Sequence, residues 1–190
     1  PEERKTSAET LEADTLEVLA DLNHASQKGL QTMFDSSVGR STVNHPLGGR
    51  YQITPTEASV QKLPVQYGVT TTASVIAQGF NPYIAEWSPY HGAAYAVIEA
   101  TARLVAVGAN WSKARFSYQE YFERMDKKAE RFGQPVSALL GSIEAQIQLG
   151  LPSIGGKDSM SGTFEELTVP PTLVAFGVTT ADSRKAVSYT

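Results

Sequence analysis

Hydrophobic residues in the first half of the chain follow a helical period and then extended runs. Residues 11–22 show helical spacing, with Thr10 as the expected N-cap. Runs rich in Val, Ile and Thr follow at 57–65 and 69–80, and such runs are typical of strands. The second run carries apolar or small residues at the positions of both strand faces, which favours a strand covered on both sides. The chain is therefore predicted to begin with helix and continue as sheet.

The second half alternates between helical and extended patterns. Ser88 is the expected N-cap of a long helix, a strand is predicted near 115–118, and a charged helix is predicted at 119–132. Pro135 is expected to open a further helix, and a last strand is predicted at 172–180. The apolar stripe of that further helix is predicted to pack into the core and consists of Val136, Leu139, Leu140, Ile143 and Ile147.

This order of elements predicts an α+β or α/β fold. Strands separated by helices indicate a roughly four-stranded mixed sheet with helices on one face. Two parts are expected, a helical N-terminal segment at 1–34 and a single α/β domain at 35–190. A chain of 190 residues is long enough to bury a substantial core.

Composition excludes several classes of protein. A hydrophobic fraction of 41% and a charged fraction of 19% are globular values. The net charge of −4 provides no general attraction to nucleic acid or to an anionic membrane, and no apolar run approaches the ~18 residues of a membrane span. The chain has no cysteine, which excludes disulfides and thiolate chemistry and agrees with a cytoplasmic location.

The segment 155–161 concentrates glycine, charge and hydroxyl groups. Gly155 and Gly156 permit close backbone approach to a ligand, and successive N–H groups can bind an anion. Lys157 adds a charge suited to phosphate, and Asp158 adds a hard oxygen ligand suited to Mg²⁺. The segment is therefore predicted to be a phosphate- and metal-binding loop. An ordinary surface turn remains the alternative, since the same residue types are common in turns.

The sequence Gly-Gly-Lys-Asp-Ser-Met at 155–160 resembles a signature of the phosphoribosylformylglycinamidine synthase family, the glutamine-dependent ligases of purine synthesis. Segments 35–42, 47–54, 79–84 and 88–93 resemble the same family in the same order. The resemblance is to the second of two repeated halves, and it implies the nucleotide-binding N-terminal domain of the aminoimidazole-ribonucleotide (AIR) synthetase-like superfamily. Members of the family are many times longer, so the chain is expected to be a fragment.

The resemblance also implies which residues hold ATP or ADP and Mg²⁺. Phosphate contacts are expected from Gly155, Gly156, Lys157, Ser159 and Ser161. Nothing in the sequence indicates a nucleophile with an adjacent base, so no catalytic residue is assigned.

The implied metal site is incomplete in this sequence. The family pattern has a strand aspartate, a glutamate and asparagine four residues apart on the long helix, and the aspartate of the signature. Glu99 and Asp158 match two of these four ligands, whereas Arg103 and Thr72 (or Thr71) replace the asparagine and the strand aspartate. A guanidinium cannot ligate a metal, and Glu99 with Arg103 also forms a favourable i,i+4 pair. A helix-surface salt bridge is therefore the alternative role for Glu99.

The function implied by the resemblance is the ATP- and glutamine-dependent amidation of formylglycinamide ribonucleotide. In this C–N ligation ATP activates an amide oxygen, which ammonia from glutamine then replaces. A non-catalytic structural or auxiliary-ADP module of the same enzyme is one alternative. Another AIR-synthetase-like ATP-dependent kinase or ligase is a second alternative, which segments 79–84 and 88–93 argue against.

The expected partners follow from the same resemblance. They are the sister AIR-synthetase-like half and the glutaminase domain of the larger enzyme. Without them the chain is expected to be inactive and to form a homodimer through a sheet face that helices leave open, since large bare apolar faces are rare on soluble monomers.

Overall fold

The computed structural model describes residues 9–26, 28–34 and 41–186. The chain divides into two units, Pro1–Val38 and Gly39–Thr190. The first unit contains helices α1 (Leu11–Ala20) and α2 (Lys28–Phe34), and α1 lies where the hydrophobic spacing of residues 11–22 predicts a helix. Most of the motif at 35–42 lies outside the described residues. Within the described part, no helix combines the length and the apolar character that a membrane span requires.

The second unit is built on a five-stranded mixed sheet. Its strands in chain order are β1 (Leu47–Gly48), β2 (Thr54–Pro55), β3 (Ser59–Lys62), β4 (Thr72–Gly79), β5 (Arg115–Tyr121), β6 (Ser153–Ser159), β7 (Thr163–Phe164), β8 (Leu167–Thr168) and β9 (Thr172–Asp182). The sheet has the order β3-β4-β9-β5-β6. Neighbouring strands are antiparallel except for β5 and β6, which are parallel. The remaining four strands form two short hairpins.

The prediction of roughly four strands missed β6. Its residues were expected to form a loop because Gly, Lys, Asp and Ser are typical of turns. Seven of them instead pair as an edge strand along β5. Backbone hydrogen bonding to β5 thus outweighs the low strand propensity of this sequence, which is a weak preference that depends on context.

Helix α4 (Pro89–Ala106) covers the centre of the sheet, preceded by the short helix α3 (Pro82–Trp87). The predicted N-cap is confirmed, because the Ser88 hydroxyl accepts a hydrogen bond from His91 N at 3.3 Å. Gly79 lets α4 approach β4 closely, since a Cβ at that position would lie 2.8 Å from Ala100 N. The helix therefore buries small residues against the sheet, together with Val97 and Leu104.

Helix α5 (Ala129–Leu149) replaces two predicted helices. The predicted charged helix at 119–132 is wrong, because 115–121 is strand β5, with Phe116, Tyr118 and Glu120 on its buried side. The hydrophobic pattern was misread as helical because the polar residues on the open side of β5 are followed directly by the charged residues of the connection to α5. Pro135 lies inside α5 and is buried there.

The predicted core stripe of α5 is also wrong. The buried residues of the helix are small ones apart from Pro135, namely Ala138, Gly141, Ser142 and Ala145. Gly141 lies so close to α4 that a Cβ would fall 2.7 Å from the Tyr90 carbonyl carbon. Close backbone approach selects small residues, so the large apolar ones face outward. The exposed residues are Val136, Leu139, Leu140, Ile143 and Ile147.

The sheet has one covered and one open face within this unit. Ala73, Val75 and Ala77 point toward the helices and are buried. Ile76 and Val178 lie on the other face and remain 43% and 37% exposed. The prediction of a mixed sheet with helices on one face is therefore confirmed, whereas coverage of β4 on both sides is not found among the described residues.

Candidate functional site

The signature segment lies on edge strand β6. Gly156 pairs with Tyr118, and Asp158 pairs with Glu120. The register shifts just before Gly155, whose φ of 143° is in the region that favours glycine. Such bulges redirect the side chains that follow them. The bulge therefore sets which faces of the sheet the rest of the signature occupies.

Gly156 has a structural role within the sheet. A Cβ at this position would lie 2.6 Å from the Tyr118 carbonyl oxygen and 3.1 Å from its Cβ. Glycine here permits contact between β6 and β5, in addition to any approach of a ligand to the backbone. A larger residue at this position would disturb the pairing of β6 with β5, so its effect on ligand binding would be mixed with its effect on the fold.

Lys157 and Asp158 project from opposite faces of the sheet, as successive strand residues do. The Lys157 ammonium lies 5.4 Å from the centroid of the Tyr121 ring, a cation–π contact on the open face. Asp158 lies on the helix-covered face, in register with Glu120. The two charged side chains of the signature therefore project in opposite directions, although both residues line the groove beside β6.

The last two predicted phosphate contacts lie together at the end of β6. The hydroxyl oxygens of Ser159 and Ser161 are 3.0 Å apart. Their backbone is fixed by Phe122, whose N–H donates to Ser159 O at 2.9 Å and whose carbonyl accepts from Gly162 N at 2.9 Å. The structure thus brings these two hydroxyls together on an anchored turn.

A groove of about 380 Å³ separates β5 and β6 from α5. Its lining includes Tyr118, Glu120, Ser142, Gln146 and Asp158. Glu120 is only 8% exposed, and burial together with the nearby Asp158 carboxylate raises its pKa. Sequence reasoning missed Glu120, because it placed this residue in a helix. The alternation of Phe116, Tyr118 and Glu120 was the signal for a strand.

The Tyr118 hydroxyl is buried and has no hydrogen-bond partner among the described residues. Burial, and secondarily the charge of Glu120, raises the pKa of this hydroxyl. Buried polar groups are almost always hydrogen-bonded. The unpaired Tyr118 hydroxyl is therefore an exception in this unit, and it is closed off from the solvent in the groove.

Glu99 lies at a different place, over the end of β4. Its carboxylate accepts hydrogen bonds from Phe80 N and from Arg103 Nη2, both at 2.8 Å. Arg103 Nε also lies 3.2 Å from a carboxylate oxygen of Glu57. The predicted i,i+4 ion pair is thus confirmed, and the guanidinium occupies the space between two carboxylates. This donor set suits a cationic side chain and does not fit a metal ion beside it.

The structure does not bring the four implied metal positions together. Gly79 and Gly156 lie at the same level of the sheet, separated by three strand spacings of ~4.8 Å. The end of β4 near Glu99 and the end of β6 near Asp158 are therefore about 14 Å apart. Thr72 begins β4, at the opposite end of the strand from Phe80. The eight residue steps from Thr72 to Phe80, at ~3.4 Å each, separate the two backbones by about 27 Å. Among the described residues, no group of three or more His, Cys, Asp or Glu side chains could hold a metal.

Comparison with known proteins supports the resemblance inferred from the sequence. The chain is 29% identical over 136 residues to the phosphoribosylformylglycinamidine synthase subunit PurL of Pyrococcus furiosus, covering 71% of this chain and 18% of that protein. The structure of PurLQS from Thermotoga maritima matches with a TM-score of 0.69 at 18% identity, over 87% of this chain and 25% of that one. The T. maritima PurL complex with ADP matches with a TM-score of 0.67 at 19% identity, over 90% of this chain and 26% of that one.

These likenesses confirm the resemblance and the fold. Over most of its length the chain has the same fold as the matching region of T. maritima PurL. No family model matches the chain. The chain spans between 18% and 26% of the length of these three proteins.

Proposed function

We propose that this chain is a nucleotide-binding domain of a phosphoribosylformylglycinamidine synthase, a cytoplasmic ligase of purine biosynthesis. The observation that supports this most strongly is the position of the Gly-Gly-Lys-Asp-Ser-Met signature. It lies on the exposed edge strand of a domain with the PurL fold. Sequence similarity to a PurL protein extends over 71% of the chain and supports the same family.

In this proposal the phosphates of ATP or ADP bind along the edge and end of β6. Backbone N–H groups near Gly155 and Gly156, the ammonium of Lys157 and the paired hydroxyls of Ser159 and Ser161 supply the donors. The bound ADP of the T. maritima PurL complex belongs to a protein of the same fold. When Mg²⁺ is present it would neutralise phosphate charge, and Asp158 is the signature residue suited to hold it.

A second candidate function is an auxiliary or structural nucleotide module of the same enzyme. The observation that favours it is the ion-pair cluster of Glu57, Arg103 and Glu99. A fixed guanidinium there serves as the counter-charge that a metal ion would otherwise supply. Glu99, a metal ligand by resemblance, is in this proposal a positioning residue that holds Phe80 N and Arg103.

The larger enzyme would supply the remaining activities. A glutaminase domain would release ammonia as a glutamine amidotransferase does, and a sister half would complete the sheet and the active site. The chain alone would therefore lack synthetase activity. Its open sheet face, with Ile76 and Val178 exposed, is the surface through which it would form a homodimer in the absence of that half.

The proposal is tested by calorimetric titration of the 190-residue chain with ADP in the presence of Mg²⁺. We expect Lys157→Ala to weaken binding at least tenfold, because one charge-assisted phosphate contact contributes more than ~1.4 kcal/mol. Lys62→Ala is the matched control, since Lys62 is also an exposed strand lysine but lies at the opposite edge. Equal losses in both variants would indicate a nonspecific charge effect, and no binding by the wild-type chain would contradict the proposal.

The two candidate functions are separated in the intact ligase that carries this domain. Asp158→Asn should abolish glutamine-dependent turnover if the nucleotide bound here is the one consumed. If the site is auxiliary, turnover should survive under conditions where the protein stays folded, while ADP retention falls. Glu166→Gln, which neutralises an exposed carboxylate near the β7–β8 turn, is the matched charge control.

A further inference from the structure

The open face of the sheet has a cationic corner with a cavity. Arg115 begins β5 on this face and lies in the same row of the sheet as Val178 and Ile76. Lys113 precedes it by two residues, and both side chains line a cavity of about 390 Å³. The other described lining residues are Ser74, Ser117, Ile154, Val178, Thr179 and Thr180. The described lining therefore combines two cations and several hydroxyl groups and includes no carboxylate.

The guanidinium of Arg115 is positioned by the backbone. Its Nη1 donates to Ala114 O at 2.9 Å and to Lys113 O at 3.3 Å. These bonds occupy one nitrogen and leave Nε and Nη2, which form a fork that matches two oxygens of a phosphate group. No ion pair to Arg115 or Lys113 occurs within the described part of the chain. The corner thus offers one oriented and one flexible cation to a ligand.

The five strands place no free carboxylate on the open face. Asp182 of β9 is the one acidic residue that alternation assigns to this face among the described strand residues. Its carboxylate accepts hydrogen bonds from the backbone N–H and the Nε of Arg184, both at 3.0 Å. Lys157 contacts the Tyr121 ring on the same face. The open face is therefore net positive, although the whole chain has a net charge of −4.

This positive charge matters for the pairing through the open face that is part of the proposed function. A second copy would present the same face, so it would add cations and no free carboxylate. Pairing through Ile76 and Val178 would also cover Arg115, which lies in their row. A cation that is buried without a counter-charge is strongly unfavourable. The lining of the cavity and the charge of the whole face therefore both call for an anion.

We propose that a phosphate group binds in this cavity, between Arg115 and Lys113, and serves as the counter-charge for pairing through the open face. Arg115 donates through its fork, Lys113 supplies a point charge, and the Ser117 hydroxyl is a neutral donor. Inorganic phosphate and a phosphate monoester share this chemistry, and Ile154 and Val178 would contact the carbon atoms of a monoester. Phosphate binding rests on the cavity alone, whereas its effect on pairing rests on the proposed function.

The site is tested by titrating the isotope-labelled 190-residue chain with inorganic phosphate at constant ionic strength and recording amide NMR spectra. The Ser117 and Thr180 amides should shift to saturation with one dissociation constant. Lys113→Gln and Arg115→Gln should each raise that constant at least about tenfold, because each removes one charged contact. Lys62→Gln removes a lysine at the same end of the sheet but outside the cavity, and it should stay within about twofold.

The variants and ligands keep the proposal falsifiable. Lys113 is exposed, so Lys113→Gln tests the site even if Arg115→Gln disturbs the start of β5. Absence of shifts, equal shifts with chloride, or an unchanged constant in Lys113→Gln would overturn the site. Glycerol phosphate is compared with inorganic phosphate and with glycerol. Tighter binding of glycerol phosphate would assign the site to a monoester, tighter binding of inorganic phosphate would assign it to the free ion, and shifts with glycerol alone would overturn it.

Further measurements separate this site from the proposed function. Lys157→Ala should leave the Ser117 and Thr180 shifts unchanged, and their loss in that variant would overturn a separate site. If phosphate binds as expected but ADP does not, the cavity site stands and the nucleotide proposal falls. Light scattering should show that phosphate raises the dimer fraction of the wild type but not of Lys113→Gln. A phosphate-bound monomer would refute the homodimer alone, and a dimer indifferent to phosphate would overturn the counter-charge role.

Discussion

Replacing Gly141 with alanine should destabilise the second unit by driving apart helices α4 and α5. The added Cβ would overlap the Tyr90 carbonyl oxygen and lie 2.7 Å from the carbonyl carbon, where ordinary contacts exceed ~3.4 Å. A backbone carbonyl cannot rotate away as a side chain can, so we expect the upper end of the ~1–3 kcal/mol cost of overpacking. Alanine regains ~1 kcal/mol of helix propensity. The free energy of unfolding should thus fall by about 2 kcal/mol.

Gly133→Ala is a matched control in the same helix. Nothing lies within 4 Å of a Cβ at Gly133, so this variant should gain ~1 kcal/mol from helix propensity alone. Urea unfolding followed by tryptophan fluorescence measures both variants, since Trp87 and Trp111 lie in the second unit. The loss of about 2 kcal/mol at Gly141 and the gain of ~1 kcal/mol at Gly133 separate the variants by about 3 kcal/mol in free energy of unfolding. With a slope of ~2 kcal/mol per molar urea, their unfolding midpoints should therefore differ by about 1.5 M. Variants that unfold within 0.3 M of each other would refute the packing described for Gly141.

Two further perturbations test other parts of the structure. Arg103→Ala should lower the free energy of unfolding by ~1 kcal/mol, because it removes two half-exposed ion pairs and leaves Glu57 and Glu99 facing each other. An unchanged urea midpoint would show that these ion pairs do not contribute to stability. Ile76→Asp should convert a dimer to monomer in light scattering at tens of micromolar, whereas Val69→Asp, at a 96% exposed residue outside the sheet, should not. A wild-type monomer would refute pairing through the open face.

The sequence was most informative where local patterns and packing agree. Helix α4 begins at Pro89 after the predicted N-cap Ser88, and it buries Val97 and Leu104. Strands β4 and β9 likewise match extended runs of β-branched residues. In these elements the propensity, the capping residue and the buried face all favour the same structure, which is the condition for reliable inference.

The sequence was misleading where tertiary contacts decide the structure. Strand β6 forms because its glycine-rich backbone can lie against β5, where Gly156 leaves room for the Tyr118 carbonyl. Helix α5 turns Ala138 and Gly141 toward α4 and leaves Leu140 exposed. Hydrophobicity alone assigns the larger residues to the core, whereas close helix packing requires the smaller ones. No local pattern encodes that distance between helices.

The candidate site could be predicted in part for the same reason. The signature identified Lys157 and Asp158, but only strand pairing shows that they serve opposite faces. Glu120 is distant from the signature in sequence and adjacent to Asp158 through the parallel register. A single sequence contains no sign of that register. Burial of a carboxylate next to another carboxylate then becomes visible only in the structure.

The two acidic clusters of the domain differ in how their charge is balanced. At the end of β4, Arg103 lies between Glu57 and Glu99 and neutralises them with a side chain that cannot dissociate. In the groove beside β6, Glu120 and Asp158 form no ion pair with any of the described residues, although Lys157 also lines the groove. A fixed cation neutralises the first cluster, whereas the raised pKa of Glu120 lowers the charge of the second by favouring the protonated carboxyl. In the proposed function, a domain that keeps Arg103 would therefore hold any metal ion that accompanies the nucleotide at Asp158 rather than at Glu99.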